Sequence, residues 1–85
     1  MRATLYYAVP SERVRDWRNF LQESKVSLKK TDYVSPLGGN VWLIDEDDPS
    51  LSGSLLLHIG KKHSVLLRTL EFDLESQWLD HSPHA

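Results

Sequence analysis

Three groups of residues in this 85-residue chain are of types that could do chemistry: four histidines, a run of four carboxylates, and a glycine–lysine turn. His58 and His63 are five apart, which matches neither a pair on one helix face nor a zinc-ligand spacing. His81 and His84 fall near the C-terminal end. Neither pair predicts a metal site, and no cofactor is expected. Asp45-Glu46-Asp47-Asp48 has oxygen donors suited to Ca²⁺ or Mg²⁺. It lacks the alternating Asp spacing and the later bidentate Glu of a calcium loop, so it reads as a solvated turn or a docking spot for an Arg-rich partner. Gly60-Lys61-Lys62-His63-Ser64 echoes a phosphate loop but has no glycine at the required upstream position. No Gly-x-Ser-x-Gly elbow occurs, and no spacing singles out a Ser/His/Asp set. With no cysteine, a thiol nucleophile, a disulfide scaffold and a Cys-ligated zinc are excluded for this chain.

Size and charge narrow the classes further. Eighty-five residues make one domain with a small core, leaving little room for a deep catalytic cleft as well. The chain is therefore read as a non-enzyme. A net charge of −2 suits neither indiscriminate DNA binding nor a strongly acidic DNA mimic. The charge is uneven, however. Arg13, Arg15, Arg18, Lys25, Lys29 and Lys30 crowd the first third, whereas Asp45–Asp48 and then Glu71, Asp73, Glu75 and Asp80 are acidic. Such polarity suits a protein partner or a second copy of the chain. No apolar run reaches the ~20 residues of a membrane span, and no signal-peptide core is evident. The absence of cysteine staples reads as a cytoplasmic chain.

The elements that must position these residues follow from periodicity. Ala3 to Val9 alternates as a strand, with Ala3, Leu5, Tyr7 and Val9 on one face and Thr4, Tyr6 and Ala8 on the other. A helix is expected over Ser11–Lys25, with Ser11 as N-cap and Val14, Trp17, Phe20 and Leu21 as its core stripe. Val26–Val34 and Val41–Ile44 read as a hairpin around Ser35-Pro36-Leu37-Gly38-Gly39-Asn40. The next stretch has two readings. Asp48-Pro49 could open a helix ending at Gly60, with Leu51, Leu55, His58 and Ile59 in helical spacing. Alternatively Ser54–Ile59 is a strand turning back at Gly60–His63, a reading that Gly53 and three consecutive leucines favour slightly. Val65–Phe72 reads as a strand either way, and Leu74–Asp80 as a short closing helix. One α+β domain over residues 1–80 is expected, with a flexible tail at 81–85. It has a single antiparallel sheet and a main helix on one face, ordered βαββββα or, with the middle helix, as a ferredoxin-like βαββαβ sandwich.

Leu5-Tyr6-Tyr7-Ala8-Val9-Pro10 resembles the first-strand signature of the RNA-recognition motif, in which an exposed aromatic stacks on a base. The resemblance implies that Tyr6 and Trp42 lie on adjacent strands facing away from the helix, with Lys29 and Lys30 near phosphates. It covers six residues. The third-strand counterpart, Gly38–Ile44, has one aromatic and no basic residue. The small CRISPR-associated metal-dependent nucleases share the βαββαβ order but carry an Asp where this chain has Val9-Pro10-Ser11, so the likeness stops at topology.

Function is thus expected to be stoichiometric protein–protein binding, of the inhibitor, antitoxin, immunity or mobile-element regulator type. Single-stranded RNA binding through Tyr6 and Trp42 is the alternative. The expected contact residues are Arg15, Arg18, Lys29 and Lys30 on a basic flank and Asp45, Glu46, Asp47 and Asp48 in the acidic turn. An edge strand or a helix face offers a route to a homodimer.

Overall fold

The computed structural model describes residues 2–73 and 83. Four strands and two helices follow one another as β1 (Arg2–Ala8), α1 (Val14–Ser27), β2 (Val34–Pro36), β3 (Val41–Asp45), α2 (Ser52–Lys62) and β4 (Leu67–Asp73). The strands form one sheet in the order β2-β3-β1-β4, with every neighbouring pair antiparallel. The fold is α+β, as the alternation and the helical stripe predict. No helix among the described residues is long and apolar enough to cross a membrane. The expected helix at Leu74–Asp80 and the domain–tail boundary at 80/81 lie outside the described residues.

The core joins both helices to one face of the sheet. Phe20 and Leu28 from the α1 side, Leu56 and Ile59 from α2, and Ala8, Val34, Trp42 and Ile44 from the strands are buried together. Phe20 links the layers: it stacks on Trp17 at 5.7 Å and meets Trp42 edge-on at 6.2 Å and 83°, both favourable aromatic geometries.

Helix α1 starts later and ends later than the spacing suggests. Ser11 accepts a hydrogen bond from the Arg13 N–H at 3.1 Å and does not cap the helix; Arg13 stands at the N-cap. Val14 is 65% exposed, so the core stripe is Trp17, Phe20, Leu21, Ser24 and Leu28. Continuing the helix through Ser27 buries Ser24 and lets the Leu28 N–H close on the Ser24 carbonyl at 2.8 Å. The expected strand Val26–Val34 is thereby reduced to Val34–Pro36. The turn that feeds it is held by the Thr31 hydroxyl, which accepts from the N–H groups of Tyr33 and Val34.

Residues 52–62 are helix, which corrects the favoured strand reading. Gly53 looks like a helix breaker in the sequence, yet here it is a close-approach residue: a Cβ at this position would overlap the Tyr6 hydroxyl. Gly60, two turns on, is also buried, and a Cβ there would press on Leu67. The face of α2 toward the sheet is therefore Gly53, Leu56, Ile59 and Gly60, while Leu51, Leu55 and His58 point outward.

Candidate functional site

The acidic run Asp45–Asp48 is divided by the fold. Asp48 is buried, and its carboxylate accepts from the Ser50 N–H at 3.0 Å and the Ser52 N–H at 2.9 Å, satisfying the first free donor of α2. Hydrogen bonds from Ser52, chiefly its side chain, outweigh burial and hold this carboxyl below the usual range. Asp48 thus caps the start of α2, and its burial leaves Glu46 and Asp47 as the exposed carboxylates of the run. Asp45 ends β3 and accepts from the Asp47 N–H at 2.8 Å. Glu46 and Asp47 are exposed. Leu51, at the N-cap of α2, adopts a left-handed conformation (φ 52°) with its side chain 68% exposed.

Tyr6 and Trp42 are direct register partners on adjacent strands. They face the helices, however, and not away from them. Trp42 is 3% exposed within the core, and Tyr6 packs beneath Gly53. Burial, and secondarily the charge of Glu71, pushes the Tyr6 phenol up. The stacking platform inferred from the RNA-motif resemblance is therefore covered. The reason is steric: on β1 the helix-side positions are Thr4, Tyr6 and Ala8, and small Ala8 together with glycine-faced α2 lets the helices settle there.

The histidines do not converge. His58 is exposed on α2, whereas His63 Nε2 lies 2.8 Å from Glu23 Oε1, which also accepts from Lys62 Nζ at 3.1 Å. These bonds, with His63 first, hold the Glu23 carboxyl below its ordinary value and tie the end of α2 to α1. His81 and His84 lie outside the described residues. Among the described residues no group of three or more His, Asp or Glu gathers as a metal site. Gly60–Ser64 is not a phosphate loop. It is the last turn of α2 and its exit, the negative end of the helix, where the Gly60 and Lys61 carbonyls accept from the N–H groups of Val65 and Ser64.

Two surfaces remain. The first is the sheet face opposite the helices. Leu5, Tyr7, Val41, Leu43 and Leu70 are adjacent there by register, since Leu5 pairs with both Leu43 and Leu70, and Tyr7 with Val41. Leu70 is 62% exposed and Tyr7 37%, the other three are half-buried, and Ala3 at one end is buried. No described helix lies over this face, because both pack against the other one. Arg68 and Asp45 share the face near opposite ends.

The second is a cleft of about 610 Å³ on the helix side of the sheet, where α1 ends against the β2–β3 turn. Leu21, Leu28, Pro36 and Trp42 give it an apolar lining, and Lys25, Lys29 and Lys30 stand at it. Gly38 and Gly39 form the turn side, with nothing within 4 Å of where their Cβ atoms would be. Lys29 and Lys30 lie in the loop after α1 and not on a strand, as the expected second strand had placed them. Arg15 and Arg18 are exposed on α1. Arg18 and Lys25 are two turns apart, so the basic flank runs along the helix toward the cleft. Sequence reasoning missed Lys25 and Leu28 as cleft residues; the Lys25-x-x-x-Lys29 spacing across a helix end was the available signal. No family model, curated protein or solved structure matches the chain.

Proposed function

We propose that this protein acts by stoichiometric binding to another protein, as an inhibitor or regulator, with the open face of its sheet as the seat. One observation carries the reading: five large apolar side chains, Leu5, Tyr7, Val41, Leu43 and Leu70, are contiguous on a sheet face that no described helix covers. Val14, Val26 and Leu37 are exposed singly and need no partner to explain them, and Leu51 and Leu55 make only a pair at the start of α2. A contiguous apolar patch with a charged group near either end has the composition of an interface, an apolar centre with a polar rim. Tyr7 and Leu70 are its most accessible anchors.

The basic flank, Arg15 and Arg18 with Lys29 and Lys30, lies in the helical layer, away from this seat. Its role is to steer an acidic partner toward encounter, an effect that falls on the association rate. Glu46 and Asp47 supply the opposite charge at the far end of β3. The test is native affinity capture from source cells, with mass spectrometry and absorbance in the nucleic-acid band on the eluate. One stoichiometric protein is the expected product. Nucleic acid without a protein partner would replace this reading with RNA binding, for which Tyr7 is the exposed aromatic of the open face. With a partner in hand, Arg15→Glu combined with Arg18→Glu should slow association about tenfold at low salt and leave dissociation unchanged.

A further inference from the structure

The cleft at the end of α1 has features that the open sheet face lacks, and they point to a ligand and not to a flat interface. Its volume of about 610 Å³ falls within the range of small-molecule sites, which are apolar with a few polar groups that fix orientation. Leu21 and Pro36 are its accessible apolar residues, and the buried Trp42 and Leu28 form its floor. Three ammonium groups, on Lys25, Lys29 and Lys30, belong to the same cleft. None of them has a carboxylate partner among the described residues, whereas Lys62 and Arg13 are paired with Glu23 and Asp16. The negative end of α1 accounts for one cation near Lys25. It does not account for three cations of like sign around one apolar hollow, an arrangement that an anionic ligand would complement.

We infer that this cleft binds a small amphiphilic carboxylic acid, with its apolar body against Leu21 and Pro36 over the Trp42 floor and its carboxylate held by Lys25, Lys29 and Lys30. The charge requires an anionic head and the lining requires an apolar tail. A short polar anion would leave the hollow unfilled, and a neutral apolar molecule would leave the three cations uncompensated.

Decanoate, titrated into the full chain below its micellar range and followed by two-dimensional ¹H–¹⁵N NMR, tests the inference. Saturable shifts at the Trp42 indole N–H, Leu28 and the Gly38–Gly39 amides are expected, with a dissociation constant of about 1 mM or tighter. Decan-1-ol should bind about tenfold more weakly, and acetate should give no saturable shift at Trp42. Replacing Lys25, Lys29 and Lys30 together by Gln should weaken decanoate about tenfold and bring it level with the alcohol. Gly39→Leu adds bulk where no atom stands in the way, so it should block binding while the rest of the spectrum stays in place. Shifts confined to Leu5, Tyr7 and Leu43 on the opposite face would overturn the inference. Equal affinity for decanoate and decanol would overturn it as well.

Discussion

The two faces of this sheet are both apolar, yet they are covered differently. On the helix side Ala8, Val34, Trp42 and Ile44 are almost wholly buried under α1 and α2. On the other side Leu5, Tyr7, Val41, Leu43 and Leu70 alternate with them along the same strands and have no described helix over them. An antiparallel sheet that meets water on one side ordinarily alternates apolar with polar. Here the positions opposite the described helices are apolar as well, which is the composition that the proposed partner seat calls for. The difference teaches that the first face holds the fold together, while the second is available for the partner proposed above.

The comparison can be broken most forcefully by truncating one residue on each face. Trp42→Ala should destabilise the fold by about 4 kcal/mol, because it removes a buried ring in contact with Phe20. Leu70→Ala should change stability by less than about 0.5 kcal/mol, because the side chain is 62% exposed. Chemical denaturation of both variants checks the pair, and similar losses would erase the distinction between the faces.

The close approach of α2 to the helix-side face gives the next effect. Gly53→Ala would gain about 1 kcal/mol in a free helix. Here the added methyl meets the Tyr6 hydroxyl, and a net loss of about 2 kcal/mol is expected. Combining it with Tyr6→Phe should restore part of the loss, a coupling that a double-mutant cycle reads directly.

Two carboxylates make the helical layer sensitive to acid. Asp48 and Glu23 are held below their ordinary values by hydrogen bonds from Ser52 and from His63, respectively. Their stabilisation is complete above the unfolded carboxylate range and is lost as pH falls through that range toward the depressed folded values. Stability should therefore decline between about pH 5 and pH 3. Asp48→Asn with Glu23→Gln should flatten the decline, measured as midpoint denaturant concentration against pH. The smallest effect is a gain. The Ser24 hydroxyl is buried with no hydrogen-bond partner, so Ser24→Ala should stabilise by about 1 kcal/mol.

Much of the architecture was legible in the residues. The alternation of Ala3–Val9, the stripe Trp17–Phe20–Leu21 and the Gly38-Gly39 turn all correspond to elements of the fold. Which face of β1 meets the helices was not legible. Both alternating sets contain apolar and aromatic residues, and the deciding features are the small size of Ala8 and the match of Tyr6 to Gly53 across some fifty positions. The same long-range match disguised α2, since a glycine that serves close packing looks locally like one that ends a helix. Asp48 was read as a solvated docking group because its role depends on where α2 begins. The binding surfaces were half visible. Lys29 and Lys30 were singled out, but their meeting with Trp42 depends on the end of α1 coming to rest against the β2–β3 turn. The open face could not be separated from the core until the helices were placed.

The central claim is that the open face recognises a protein partner while leaving the fold intact. The most direct measurement is affinity capture from source cells with the wild-type chain and with a Tyr7→Ser, Leu70→Glu variant whose folding is verified by circular dichroism. The account predicts one stoichiometric protein with the wild type and its loss with the folded variant. Retention of that partner by the variant, or no partner with the wild type, would contradict the account.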